Sequence, residues 1–123
     1  MTAAAPLPIG RAVLDVAART LAGPDRTVRL PTQAVALLAH LVAHPGVVVR
    51  WGEAIEAIYG AGPWHARDPY GTVVARLVLA RRALHETGAG TGIETVRGVG
   101  VRLRVPGRGE ATPVAGAPPR EAA

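Results

Sequence analysis

The 123-residue sequence predicts an α+β domain in which an antiparallel β-meander precedes three helices and a β-hairpin ends the fold. Three observations carry that prediction. Residues 7–30 are short apolar pieces broken by turn-forming residues. From Thr32 to His85 the apolar residues fall at helical spacing. After Gly92 the pattern becomes a strand-like alternation on either side of a Gly-Val-Gly turn.

In the meander, Pro8-Ile9-Gly10 and Ala12-Val13-Leu14 are apolar pieces, and Arg19-Thr20-Leu21 leads into the turn Ala22-Gly23-Pro24-Asp25. Thr27-Val28-Arg29-Leu30 alternates with period two, as a half-buried strand does. The first helix starts near Thr32, carries Val35, Leu38, Leu41 and Val42 at helical spacing, and must stop at His44-Pro45-Gly46, because Pro and Gly both terminate helices. Trp51 to Tyr59 is a second, short helix with Ile55, Ile58 and Tyr59 on one face, closed by Gly60. Gly60 to Gly71 is a loop rich in Gly and Pro. Thr72 to His85 is the third helix, with Val73, Leu77, Ala80 and Leu84 as its core stripe. After a flexible Gly88–Gly92 loop, two alternating strands within 93–105 flank Gly98-Val99-Gly100. Meander, three helices and hairpin in this order make a winged helix-turn-helix, with 93–105 as the wing.

Length and composition allow one domain over residues 7–105. Residues 1–6 lack pattern, and 106–123 form a Pro/Gly/Ala tail expected to be disordered. In the tail Arg108 and Arg120 offset Glu110 and Glu121, so the net charge of +5 belongs to the domain. Such a balance suits a polyanion, either nucleic acid or an anionic membrane surface. Every basic side chain is Arg; Ala, Arg and Gly rise together as codon bias would make them, yet the guanidinium fork suits phosphates and base edges whatever its origin. The absence of Cys removes disulfide and thiolate chemistry. Residues 30–49 carry no formal charge, but Pro31, His40, His44 and Pro45-Gly46 make them a buried helix and turn, not a membrane span. With no leader pattern either, a soluble, cytoplasmic protein with no membrane partner is expected.

The hairpin Glu94-Thr95-Val96-Arg97-Gly98-Val99-Gly100-Val101-Arg102-Leu103 resembles the T-V-R-G-x-G-Y-R wing of OmpR/PhoB-type DNA-binding domains. His44-Pro45-Gly46 with Val47-Val48-Val49 resembles their exit from helix one. Ile58-Tyr59-Gly60 is similar to their V-W-G, Thr72-Val73 to the start of their third helix, and Arg81-Arg82-Ala83-Leu84 to its R-K-A-L end. The resemblance implies a free-standing effector domain with no receiver, hence no direct control by phosphorylation. It implies double-stranded DNA as partner, with the third helix in the major groove and the wing in the adjacent minor groove. It makes Arg97 the minor-groove residue, Thr95 a phosphate contact, Thr72 and Arg76 groove-facing, and Arg81 and Arg82 neighbours of the DNA backbone. Arg102 joins the DNA-facing set. It also implies that the 60–71 loop is where RNA polymerase contacts the domain, with Trp64 as the anchor; alternatively Trp64 folds back over the core. Arg97 likewise has the plainer reading of a solvated turn residue.

The departures from the family pattern point elsewhere. Val78 and Leu79 stand where relatives commonly have Arg, Val74 replaces a polar residue, and Gly71 an Arg. Trp51 replaces a phosphate-contacting Arg, Val101 the wing Tyr, and Val35 occupies the capping-box Glu position relative to Thr32. Val74, Val78 and Leu79 are therefore expected outward of the core stripe. The competing function is a protein-interaction module whose third helix binds a partner or forms a homodimer. Whether Arg76, Arg81, Arg82 and Arg97 share one face discriminates the two. His40 and His44 at i, i+4 have metal-ligand spacing, but no third ligand is evident in the sequence. Gly88, Gly90 and Gly92 precede a strand and no Lys, unlike a phosphate-binding loop. No nucleophile, base and acid set is visible, so neither catalysis nor a cofactor is expected.

Overall fold

The computed structural model describes residues 6–60 and 67–104. Strands β1 (Leu7–Ile9), β2 (Ala12–Asp15), β3 (Thr20–Ala22) and β4 (Thr27–Arg29) form an antiparallel sheet in sequence order. Its register pairs Leu7 with Leu14, Leu14 with Leu21, and Leu21 with Val28. One apolar row thereby crosses the sheet, while Val13 and Asp15 point to solvent. The β2–β3 turn is held by Asp15 Oδ1, which accepts from the Ala18 amide at 3.0 Å.

Helix α1 (Thr32–Ala43) buries Ala34, Val35, Leu37, Leu38 and Leu41. Pro31 precedes it and supplies no side-chain cap. Strand β5 (Val49–Arg50) follows, then α2 (Trp51–Tyr59), α3 (Pro69–Thr87), β6 (Ile93–Val96) and β7 (Gly100–Leu103). The meander packs on α1 and α3, and β7 lies against α1 and α2. Leu14, Leu21, Leu37, Leu38, Leu41 and Leu84 are fully buried where these elements meet. Each contributes about 1.5–3 kcal/mol of apolar burial. No helix among the described residues is long and apolar enough to cross a membrane.

Three boundaries differ from expectation. The wing is a three-stranded sheet ordered β5-β7-β6, because Val49 pairs with Val101 and Arg50 with Gly100; two residues are too few to show alternation. Helix α3 begins three residues before Thr72. Asp68 is its N-cap and Pro69 its first residue, a pairing that opens a helix even though Pro and Gly in the segment suggested a loop. It also runs past His85 to Thr87, where Gly88 closes it in the left-handed conformation (φ +76°) that favours glycine. The buried Thr87 hydroxyl donates to the Ala83 carbonyl at 2.8 Å, so the last turn hides no unpaired group.

Candidate nucleic-acid interface

Helix α3 is built by its buried stripe. Val73, Leu77, Ala80, Ala83 and Leu84 face the core. The geometry of an α-helix then forces Val74, Val78, Arg82 and His85 onto the opposite side. Val74 is 40% and Val78 50% exposed, and Arg82 and His85 are exposed beside them. Leu79 does not belong to this face. It is partly buried and packs against the core. The expectation of three outward aliphatics is thereby corrected to two.

The start of α3 is tight. Asp68 Oδ1 accepts from the Gly71 amide at 3.0 Å, and a Cβ on residue 71 would run into that carboxylate. A larger residue at 71 would therefore displace the capping Asp68 side chain. Thr72, half-buried in the same turn, donates its hydroxyl to the Asp68 carbonyl at 3.1 Å. The two helix starts meet through rings: Trp51, opening α2, and Tyr70, opening α3, are 5.2 Å apart edge to face. Trp51 thus packs between elements. Tyr70 was missed in the sequence because it lay in the supposed loop.

The arginines do not share one face. Arg76 Nε donates to Gln33 Oε1 of α1 at 3.0 Å, and it stands about 120° round the helix from Arg82. Arg81 leans to the wing, where Nη2 donates to Thr95 Oγ1 at 2.5 Å and Nε to the Ile93 carbonyl at 3.3 Å. Arg102 pairs with Glu94, directly across the hairpin, at 2.7 Å. Arg97 is exposed at the wing tip, between Val96 and Gly98, and makes no hydrogen bond or ion pair among the described residues. Arg82 is likewise uncommitted among them. Of the predicted set, α3 and the wing tip therefore present Arg82 and Arg97 with free guanidinium groups, while Arg76, Arg81 and Arg102 are already engaged. Thr95 is engaged by Arg81. Trp64 lies outside the described residues.

A solved structure with the same arrangement is the C-terminal domain of the nisin resistance regulator NsrR, a lantibiotic response regulator. It is 25% identical, superposes with a TM-score of 0.65, and the match covers 81% of this chain and 98% of that one. The fold is an OmpR/PhoB-type winged helix. The DNA-binding domain of E. coli CadC matches this winged helix with a TM-score of 0.66 at 20% identity, covering 83% of this chain and 96% of that one. The Klebsiella pneumoniae RstA DNA-binding domain, solved in complex with the RstA box, matches with a TM-score of 0.60 at 18% identity, over 82% and 98% of the two chains. No protein-family model and no curated protein matches the sequence. In winged-helix terms α2 and α3 are the helix-turn-helix pair, and β5, β7 and β6 are the wing sheet.

The winged helix also assembles a polar cluster that the sequence could not display. His40, in the last turn of α1, and His44, its C-cap residue, meet Glu53 of α2. His40 Nε2 and Glu53 Oε2 are 2.7 Å apart. The hydrogen bond from His40 holds the Glu53 carboxyl below the usual carboxylate range; burial opposes it, and the charges of His40 and His44 and the Arg50 backbone amide add smaller lowering effects. A third group of metal-ligating type, not evident in the local sequence pattern, is thus brought in by another helix.

Proposed function

We propose that this chain binds double-stranded DNA and regulates transcription, with the 72–85 part of α3 in the major groove and the 93–105 wing in the adjacent minor groove. The observation that carries the reading is the shared fold. Its structural neighbours are DNA-binding domains, and the AdeR domain was solved with an intercistronic region as the RstA domain was with its box. The net charge of +5 and the uncommitted Arg82 and Arg97 support it. On this reading Arg97 enters a narrow minor groove, where the negative potential is strongest. Arg82 meets phosphate, and Val74 and Val78 lie against thymine methyl groups in place of the hydrogen-bonding side chains of relatives. Arg81 and Thr95 act together, one positioning the other at the backbone.

Duplex binding measured at 50 and 200 mM salt tests this. With about three to five phosphate contacts, affinity falls about 10- to 1000-fold between the two. No binding even at the lower salt refutes the proposal. A second reading has two observations in its favour: the arginines of α3 and the wing do not share one face, and Val74 and Val78 form an exposed pair at i, i+4. It makes α3 a protein-contact face, for a second copy or a partner. Sedimentation of the wild type and of V74R/V78R decides: self-association lost in the double variant supports it, whereas a monomeric wild type whose double variant keeps or gains DNA affinity removes it.

A further inference from the structure

We propose that His40, His44 and Glu53 form a binding site for one divalent transition-metal ion of Zn2+ type, clamping the end of α1 to the start of α2. One ligand atom from each of the three side chains lies within 4.8 Å of the others. Ligand atoms about 2.0–2.2 Å from a tetrahedral ion stand roughly 3.4 Å from one another. The ion takes the place of the proton that His40 Nε2 donates to Glu53, and that proton leaves to solvent; the 2.7 Å contact opens slightly and the wider spacings close, movements within the reach of rotamer adjustment on a surface where Glu53 and His44 are exposed.

Four features prepare the site. His44 Nδ1 is 3.0 Å from the His40 carbonyl, and a carbonyl only accepts, so Nδ1 carries the proton and Nε2 is left with the lone pair a metal needs. Backbone partners of this kind orient metal-binding imidazoles generally. Glu53 already stands beside His40, with Oε2 2.7 Å from Nε2. His40 lies in the last turn of α1 and His44 is its C-cap, at the end where the helix dipole favours a cation. Two nitrogens and a single carboxylate suit Zn2+ and its neighbours rather than Mg2+ or Ca2+, which prefer all-oxygen sets. Three protein ligands leave at least one position for water. The clamp is independent of DNA binding and is tested without DNA.

The experiment is calorimetric titration of the tag-free full chain with Zn2+, with thermal unfolding of the same samples. One ion binds per chain, and the melting temperature rises with Zn2+ concentration and falls back on chelation, because the folded state alone holds the three ligands together. H44A and E53Q each weaken binding by at least about tenfold, while H85A, which removes an exposed histidine of α3, does not. E53Q retains a partner for His40, so its effect reports ligation and not misfolding. Absence of saturable Zn2+ binding, equal affinity in E53Q and wild type, or a loss in H85A as large as in H44A overturns the site.

Discussion

Arg81 joins α3 to the wing, and removing it has a calculable cost. Its Nη2 donates to the exposed Thr95 hydroxyl at 2.5 Å and its Nε to the carbonyl of the buried Ile93 at the longer distance of 3.3 Å. A charge-assisted hydrogen bond contributes about 1.5–3 kcal/mol when well formed and shielded. Solvent at Thr95 and the length of the Ile93 bond bring the pair to about 1–2 kcal/mol in all. For a domain of this size that corresponds to a fall in melting temperature of roughly 5–12 °C in R81A. R81K keeps the charge but not the planar fork, so it cannot span both acceptors and loses most of the same stability. T95V removes the hydroxyl alone, at about 1 kcal/mol. The measurement is urea unfolding of wild type, R81A, T95V and the double variant. A coupling energy of about 1 kcal/mol between the two sites is expected, whereas independent sites add to within about 0.3–0.5 kcal/mol. Additivity within that range, together with an R81K as stable as the wild type, would refute the strap and return Arg81 to the role of a free surface charge.

Three further outcomes follow from the same geometry. R97A weakens duplex binding by about 1–3 kcal/mol, most on A·T-rich sites, as read by titration against R108A in the tail; equal effects of the two substitutions exclude the wing from the interface. L38A, at a fully buried position of α1, destabilises the domain by about 2–5 kcal/mol in urea, and a cost below about 1 kcal/mol contradicts the packing described. Because the folded state lowers the pKa of Glu53, its contribution to stability is complete above the ordinary carboxylate range and is lost as pH falls through the lowered value. The difference in melting temperature between wild type and E53Q therefore shrinks on acidification, and a difference that grows instead contradicts the sign.

What the sequence by itself determined are the features written in neighbouring residues. The alternation in the meander, the helical spacing of Val35, Leu38 and Leu41, the stop at His44-Pro45-Gly46 and the turn at Gly98 each need only a few consecutive side chains, and each stands in the structure. The early start of α3 was legible too, in Asp68 followed by Pro69, but the same Pro and Gly also mark loops, and composition outweighed the cap. Only the tertiary structure decided the rest. Leu79 is partly buried because of what packs beside α3, not because of its place in the helical period. Val49 becomes a strand because β7 offers it backbone partners from half a chain away. Arg76, Arg81 and Arg102 were chosen as charges for DNA, yet their side chains are taken up by Gln33, by Thr95 with Ile93, and by Glu94. His40 and Glu53 come together only because the α1–α2 connection folds back on itself, setting one helix's end against the next one's start. Periodicity reports which side of an element is apolar. Which polar groups meet depends on the directions of side chains brought together from distant segments, and no local pattern encodes those.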